Sequence, residues 1–231
     1  MSDISVVVAT LFEPCTLERL ECQAEAADLE FIVVKDMTVN DAWRHGIEKA
    51  SNDMIAVLND DIEVNDIFFD SVAQLVDEGF SYITPLHMRR FAPMPHVIDV
   101  EPIHRGHAFV FNRSMAPPIP EAFKVFYGDT WYYNCFKYRA GGKMAFSGTP
   151  QYKTGRDVFA VDYFSGWTSQ HDGFDEVFAR INNGTSYEDQ TTLDHEAATE
   201  LFEMEMTGAE GGDAGFSYGV GAPIYQGVIE S

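Results

Sequence analysis

Three short stretches hold residues whose types and spacing could do chemistry. The first is Asn59-Asp60-Asp61, which follows the apolar run 54–58, MIAVL. Two adjacent carboxylates repel each other, and a bound cation relieves that repulsion best. Side-chain oxygens on a rigid strand end suit Mg²⁺ or Mn²⁺ bridging a diphosphate. The same two aspartates could equally cap a turn, where Asp is common. The second stretch is Gly128-Asp129-Thr130-Trp131. An Asp at the mouth of a helix often caps it, but it could also serve as a general base. The third is Asp36, just past the apolar run 29–34, LEFIVV. It could accept a hydrogen bond from a base N–H, or it could be a solvated turn residue.

The elements that must position these residues follow from patterning. The run 4–10, ISVVVAT, is β-branched and continuously apolar, which predicts a strand covered on both faces. Pro14 and Thr16 open a helix reaching to about Ala27, with Leu17, Leu20 and Ala24 on one side. Strand 29–34, helix 39–50, strand 54–58, helix 66–78 and strand 81–84 follow in turn, with Gly79 stopping the last helix. This alternation predicts an α/β fold with a parallel, doubly wound sheet. Such sheets bind ligands beyond the carboxyl ends of their strands, which is where Asp36 and Asn59-Asp60-Asp61 fall. A proline-rich stretch, 85–120, is broken by one strand at 107–111. A helix from Gly128 to about Ala140 ends at Gly141-Gly142, and a strand begins at Lys143. A helix over 193–206 precedes a loosely structured, Gly-rich tail.

Composition narrows the function classes. The chain has 231 residues with 15 basic and 37 acidic side chains, a net charge of −22. Such a chain repels phosphate backbones at long range and is no generic nucleic-acid binder. Its few cations are clustered, at Arg89-Arg90 and over 137–143. Cys15, Cys22 and Cys135 have no metal-site spacing. The odd count and the lack of a signal-like leader point to a reducing cytoplasm. No apolar run approaches the length of a membrane span, so no membrane partner is expected.

In order and spacing, these stretches together resemble the family 2-like glycosyltransferases of the GT-A fold. The match runs over 4–62: ISVVVAT, EFIVVKD, and NDAWRHGIEKASNDMIAVLNDDIEV. The family's opening strand ends in a small or hydroxylated residue, here Thr10, and its second strand ends in Asp, here Asp36. An Ala-x-Asn-x-Gly helix start corresponds to Ala42-Trp43-Arg44-His45-Gly46, and the metal-binding Asp-x-Asp to Asn59-Asp60-Asp61. A second match covers about 105–155. Residues 105–111 look like the acceptor-side strand, Gly128-Asp129 resembles the family's Glu-Asp motif, and Ala140 to Met144 resembles its Gly-Tyr-Lys turn. Three departures stand out. Asn59 replaces an Asp, and Arg44 replaces the helix-start Asn. The family's later His ligand would fall near Lys153, leaving His171 or the Lys153 cation as substitutes.

The resemblance implies a GT-A (Rossmann-like), mostly parallel sheet with helices on both faces. It implies a glycosyltransferase domain over 1–185, divided into a nucleotide-binding half (1–84) and an acceptor half (85–185), with an acidic C-terminal extension at 186–231. It implies transfer of a sugar from a UDP- or GDP-linked donor, with inversion and with Mn²⁺ or Mg²⁺ as cofactor. Asp129 would be the base. Thr10, Asp36, Arg44, Asp60 and Trp131 would meet the nucleotide-sugar, and Asp61, Asn59 and His171 the metal. Trp131, Tyr132, Tyr133 and Trp167 could stack on a sugar or base, or fill the core. Small size and lean loops resemble phage-encoded enzymes, some of which modify hydroxymethylated bases in viral DNA. The acceptor expected is therefore modified DNA or a glycan, in the cytoplasm of a cell or of a viral host. Two alternatives remain: a non-catalytic sugar or nucleotide binder of the same fold, and a nucleotidyltransferase.

Overall fold

A computed structural model describes residues 3–12, 15–64, 68–87, 96–97, 108–140, 142–154 and 173–207. Its centre is an eight-stranded sheet in the order β2-β1-β3-β7-β5-β8-β4, with β6 beside β8. Strands β1 (Ile4–Thr10), β2 (Glu30–Lys35) and β3 (Met54–Asn59) form the parallel block that the apolar runs predict. Helices α1 (Cys15–Ala26) and α2 (Val39–Lys49) are the crossovers between them.

Beyond β3 the sheet is mixed. Strand β7 (Ala108–Asn112) inserts antiparallel between β3 and β5 (Phe80–His87), so β5 is not the next parallel neighbour. Strand β8 (Lys143–Thr154) then runs parallel to β5, so β1, β2, β3, β5 and β8 all point the same way. Strands β4 (Ile62–Val64) and β6 (His96–Val97) pair antiparallel with β8. The position of β4 says something about shape. Only Asp60 and Asp61 separate it from β3, a reach of about 11 Å at most. Along the hydrogen-bonded path β4 lies four strand spacings away, about 19 Å in a flat sheet. The sheet must therefore curl, and the long β8 brings its far end, Tyr152 to Thr154, to β4 beside the two aspartates.

Strand alternation sorts the core into two layers. Ile4, Val6, Val8, Met54, Ala56 and Leu58 face α1 and α3 (Phe68–Asp77), packing on Leu17, Leu20, Phe68 and Val72. Val7, Ile55, Val57, Phe109 and Phe111 face the other way, onto Trp43 and Ile47 of α2 and the aromatics of α4 (Gly128–Cys135). A π-helical turn, Phe136–Ala140, extends α4. Gly46 lets α2 sit directly on β1: a Cβ there would lie 2.4 Å from Val7 Cγ1. That is a physical reason for glycine at the Gly46 position of the helix-start pattern. Arg113 closes the other end of α2, donating from Nη1 to the carbonyls of Ile47 (2.8 Å) and Ala50 (2.7 Å).

Two further helices are described. Helix α5 (Phe174–Ile181) has no counterpart in the sequence reading. Helix α6 (Tyr187–Thr207) begins six residues earlier than the 193–206 expected. It buries Ala198 and Phe202 in the same cluster as Trp131 and Phe123, so this part of the expected extension belongs to the core. Among the described residues, no helix is long and apolar enough to cross a membrane.

Candidate active site

The carboxyl ends of β1, β2 and β3 gather the first group of candidate residues. Register places Ala9 beside Asn59 and Thr10 beside Lys35, so the last residues of the three strands lie side by side. The Asp60-Asp61 turn follows directly. The hydroxyl of Thr10, itself buried, donates to the Asp60 carboxylate. The hydroxyl of Thr16, at the start of α1, donates to the Asp60 carbonyl. The turn is thus pinned from both sides of the β1–α1 junction. Burial pushes the Asp60 carboxyl up, and the Asp61 charge adds to that push. The Thr10 hydroxyl and Asp60's own N–H oppose it, and the result is about 6, against an ordinary 3.8.

This is a donor set suited to a divalent cation: two adjacent carboxylates, partly desolvated, whose mutual repulsion a cation would relieve. Among the described residues no group of three or more His, Cys, Asp or Glu side chains could hold a metal ion by itself. Two carboxylates leave the remaining positions to ligand and water oxygens, as is usual for Mg²⁺ at phosphates. His171 lies outside the described residues, as do Trp167 and residues 105–107. The backbone of Lys153 pairs opposite Glu63, two residues beyond Asp61.

The raised Asp60 carboxyl has a consequence for stability. Its folded value lies above its unfolded one, so the fold favours the protonated form. Stability of the ligand-free protein therefore falls as pH rises from about 4 to about 6, and the full cost is present above that. The cost is up to about 3 kcal/mol. Asp60→Asn is expected to raise Tm by several degrees at pH 8, with the gain shrinking toward pH 4. Thermal unfolding of both proteins across that range checks it; equal Tm values at pH 8 would contradict it.

Asp36 stands at the end of β2 in the left-handed region, φ 57°, which Asp tolerates better than most residues. The turn feeds the chain into α2. Its side chain is 77% exposed, and its only described ion pair is a loose one, 3.9 Å from Arg180 Nη2 of α5. Asp36 is thus open to a ligand at the rim.

Asp129 lies in the first turn of α4, half-buried, with Thr130 Oγ1 3.5 Å from its Oδ1. The segment before it is held against α2. Asn40, fully buried, donates from Nδ2 to the carbonyl of Phe126 (2.7 Å), and its backbone N–H donates to the carbonyl of Lys124 (3.0 Å). A Cβ on Gly128 would lie 2.1 Å from Asn40 Oδ1, so only glycine permits this approach. Helix α2 starts three residues after Asp36, so its first turn links the β2 end to the Asp129 turn. Gly128→Ala is expected to cost about 1–3 kcal/mol through this overlap and to lower turnover with it. In an Asn40→Ala background the same change should cost far less, which paired unfolding curves would show.

Two candidates have other roles here. Arg44, expected at a phosphate, points into the protein. Its Nη1 donates to the carbonyls of Pro120 (2.9 Å) and Phe123 (3.1 Å), and its Nη2 pairs with Asp41. Asp41 is also bonded by Lys124 Nζ at 3.0 Å and by the Thr38 hydroxyl. Burial raises the Asp41 carboxyl, but Thr38, Lys124 and Arg44 outweigh it and hold it below the usual range. Arg44 therefore fastens segment 119–124 to α2. Trp131 is only 5% exposed and donates from Nε1 to the Pro117 carbonyl (3.1 Å). It is core, as are Tyr132, stacked near Phe109 and Phe111, and Tyr133, edge-on to Tyr82.

Sequence reading missed one group altogether. Asp194 of α6 is fully buried and accepts backbone N–H bonds from Lys124, Val125 and Phe126, at 3.0, 2.7 and 2.8 Å. Gln190 Nε2 donates to it at 2.7 Å. A lone Asp in an acidic helix carries no local mark of burial.

No family model matches the chain, and no curated protein matches it. Among solved structures it is similar to many chains at low identity, of which three serve as examples. Staphylococcus aureus TarS 1–349 in complex with UDP is 12% identical over 78% of this chain and 71% of that one, with a TM-score of 0.49. Protein A197 from STIV is 12% identical over 65% of this chain and 83% of that one, TM-score 0.44. Mycobacterium tuberculosis glucosyl-3-phosphoglycerate synthase with Mn²⁺, UDP and glucosyl-3-phosphoglycerate is 14% identical over 63% and 69%, TM-score 0.43. These scores mark a distant likeness, and the functional reading rests on this chain's own residues.

Proposed function

We propose that this protein is a nucleotide-sugar glycosyltransferase whose donor lies over the carboxyl ends of β1, β2 and β3. The observation that carries the reading is the half-buried Asp60-Asp61 pair, tied to Thr10 at the point where ligands bind on doubly wound sheets. Asp36 receives the base at the open rim. Thr10 and Asp60 line the ribose side. Asp61, with Asp60 and Asn59 beside it, would hold Mn²⁺ or Mg²⁺. When bound there, the cation would supply positive charge to offset that developing on the leaving diphosphate. Asp129 takes the proton from the acceptor hydroxyl, which attacks the anomeric carbon from the face opposite the leaving group, with inversion. The donor is UDP- or GDP-linked. The acceptor is a glycan or a hydroxymethylated base in viral DNA. The net charge of −22 keeps any duplex encounter weak and salt-sensitive.

The test is incubation with UDP- and GDP-sugars, with and without Mn²⁺. Release of the nucleoside diphosphate that depends on the metal is the expected result. Pyrophosphate release would identify a nucleotidyltransferase instead. Binding without turnover across glycan and modified-DNA acceptors would identify a non-catalytic sugar-nucleotide binder.

A further inference from the structure

We infer that Asp194 of α6 is a positioning residue for Asp129, so that the acidic C-terminal helix is part of the catalytic apparatus. The inference rests on the glycosyltransferase reading above. Its ground is how the chain approaches the base. Lys124, Val125 and Phe126 turn their N–H groups onto one carboxylate, that of Asp194, and Gln190 supplies a fourth donor. A buried carboxylate is costly unless its lone pairs are filled, and four N–H donors fill them. Gln190 is itself fixed by Asn182, at the end of α5, whose Nδ2 donates to Gln190 Oε1 at 2.8 Å. A buried polar chain thus runs from α5 through α6 to the segment that leads into Asp129.

The next residue in that segment is under strain. Tyr127 has φ 67°, a value that bulky side chains rarely adopt. Such strain persists only where the surroundings over-determine it. Here they do. Phe126 is bonded on both sides, its N–H to Asp194 and its carbonyl to Asn40. The Tyr127 hydroxyl meets His195 Nδ1 at 2.8 Å, one residue along α6 from Asp194. The Tyr127 carbonyl accepts the first helical bond of α4, from the Trp131 N–H at 2.7 Å. A shift of the 124–126 backbone therefore passes through Tyr127 into the first turn of α4, where Asp129 sits. A misplacement of about 1 Å at a reacting group can cost about a hundredfold in rate.

The test is a double-mutant cycle on nucleoside-diphosphate release, using Asp194→Asn, Asp129→Asn and the pair. Asp194→Asn is expected to lower kcat at least tenfold with UDP or GDP affinity unchanged. In the Asp129→Asn background it should have no further effect on kcat. A purely structural Asp194 would lower the active fraction equally in both backgrounds, and that additivity would overturn the inference. Gln190→Leu, which leaves Asp194 in place, provides a milder variant if Asp194→Asn does not fold. It should show the same dependence on Asp129, and an equal effect in both backgrounds would again overturn the inference. If Asp129→Asn alone leaves turnover intact, the base assignment has failed rather than the role of α6.

Discussion

Replacing Asp129 with Asn is expected to lower turnover by about two to four orders of magnitude, the usual worth of a general base, while nucleotide affinity stays unchanged. The amide is nearly the same size as the carboxylate, so the first turn of α4 and its contact with Asn40 persist. What disappears is the capacity to accept a proton from the attacking hydroxyl. The proposed donor site lies on different elements, the ends of β1 to β3, so the effect should fall on kcat alone. Initial rates of diphosphate release, measured beside a binding titration with UDP and GDP, separate the two quantities. Retained turnover would remove Asp129 from the mechanism.

Asp61→Ala is expected to abolish the part of nucleotide affinity that depends on Mn²⁺, a loss of at least about tenfold, or about 1.4 kcal/mol. Binding in chelator should be unchanged, because Asp36 and the strand ends, proposed to meet the base and ribose, are untouched. The fold should not suffer, since removing one of two crowded carboxylates relieves the push on Asp60. Calorimetric titrations of the nucleotide with Mn²⁺ and with chelator, on both proteins, give the result directly. Equal affinities of the variant and the parent in Mn²⁺ would refute the assignment.

The parallel half of the fold was legible because its signals are local. Each of 4–10, 29–34 and 54–58 is a mostly apolar run, and β1 to β3 fall within two residues of them. The helices between them follow from their apolar faces. What patterning could not reveal was the insertion of β7 between β3 and β5, because strand partners far apart in sequence leave no periodic mark. The three-residue β4 and two-residue β6 are too short to carry a period at all.

The candidate site divides along the same line. Thr10, Asp36 and Asp60 were readable from their place at strand ends, and the structure gathers the ends of those strands. Arg44 and Trp131 take internal partners for one reason. Both lie on helix faces whose orientation depends on segment 117–124, which packs over α2 and takes up the guanidinium and the indole N–H on its carbonyls. Asp194 was missed because its partners are backbone N–H groups about 70 residues away in sequence.

Crystals of the protein soaked with Mn²⁺ and UDP, with data collected at the manganese absorption edge, test the central claim most directly. A single anomalous peak within bonding distance of the Asp61 carboxylate, shared with the UDP diphosphate, is the result expected. Well-ordered UDP with the manganese peak elsewhere, or UDP bound away from the ends of β1 to β3, would contradict it.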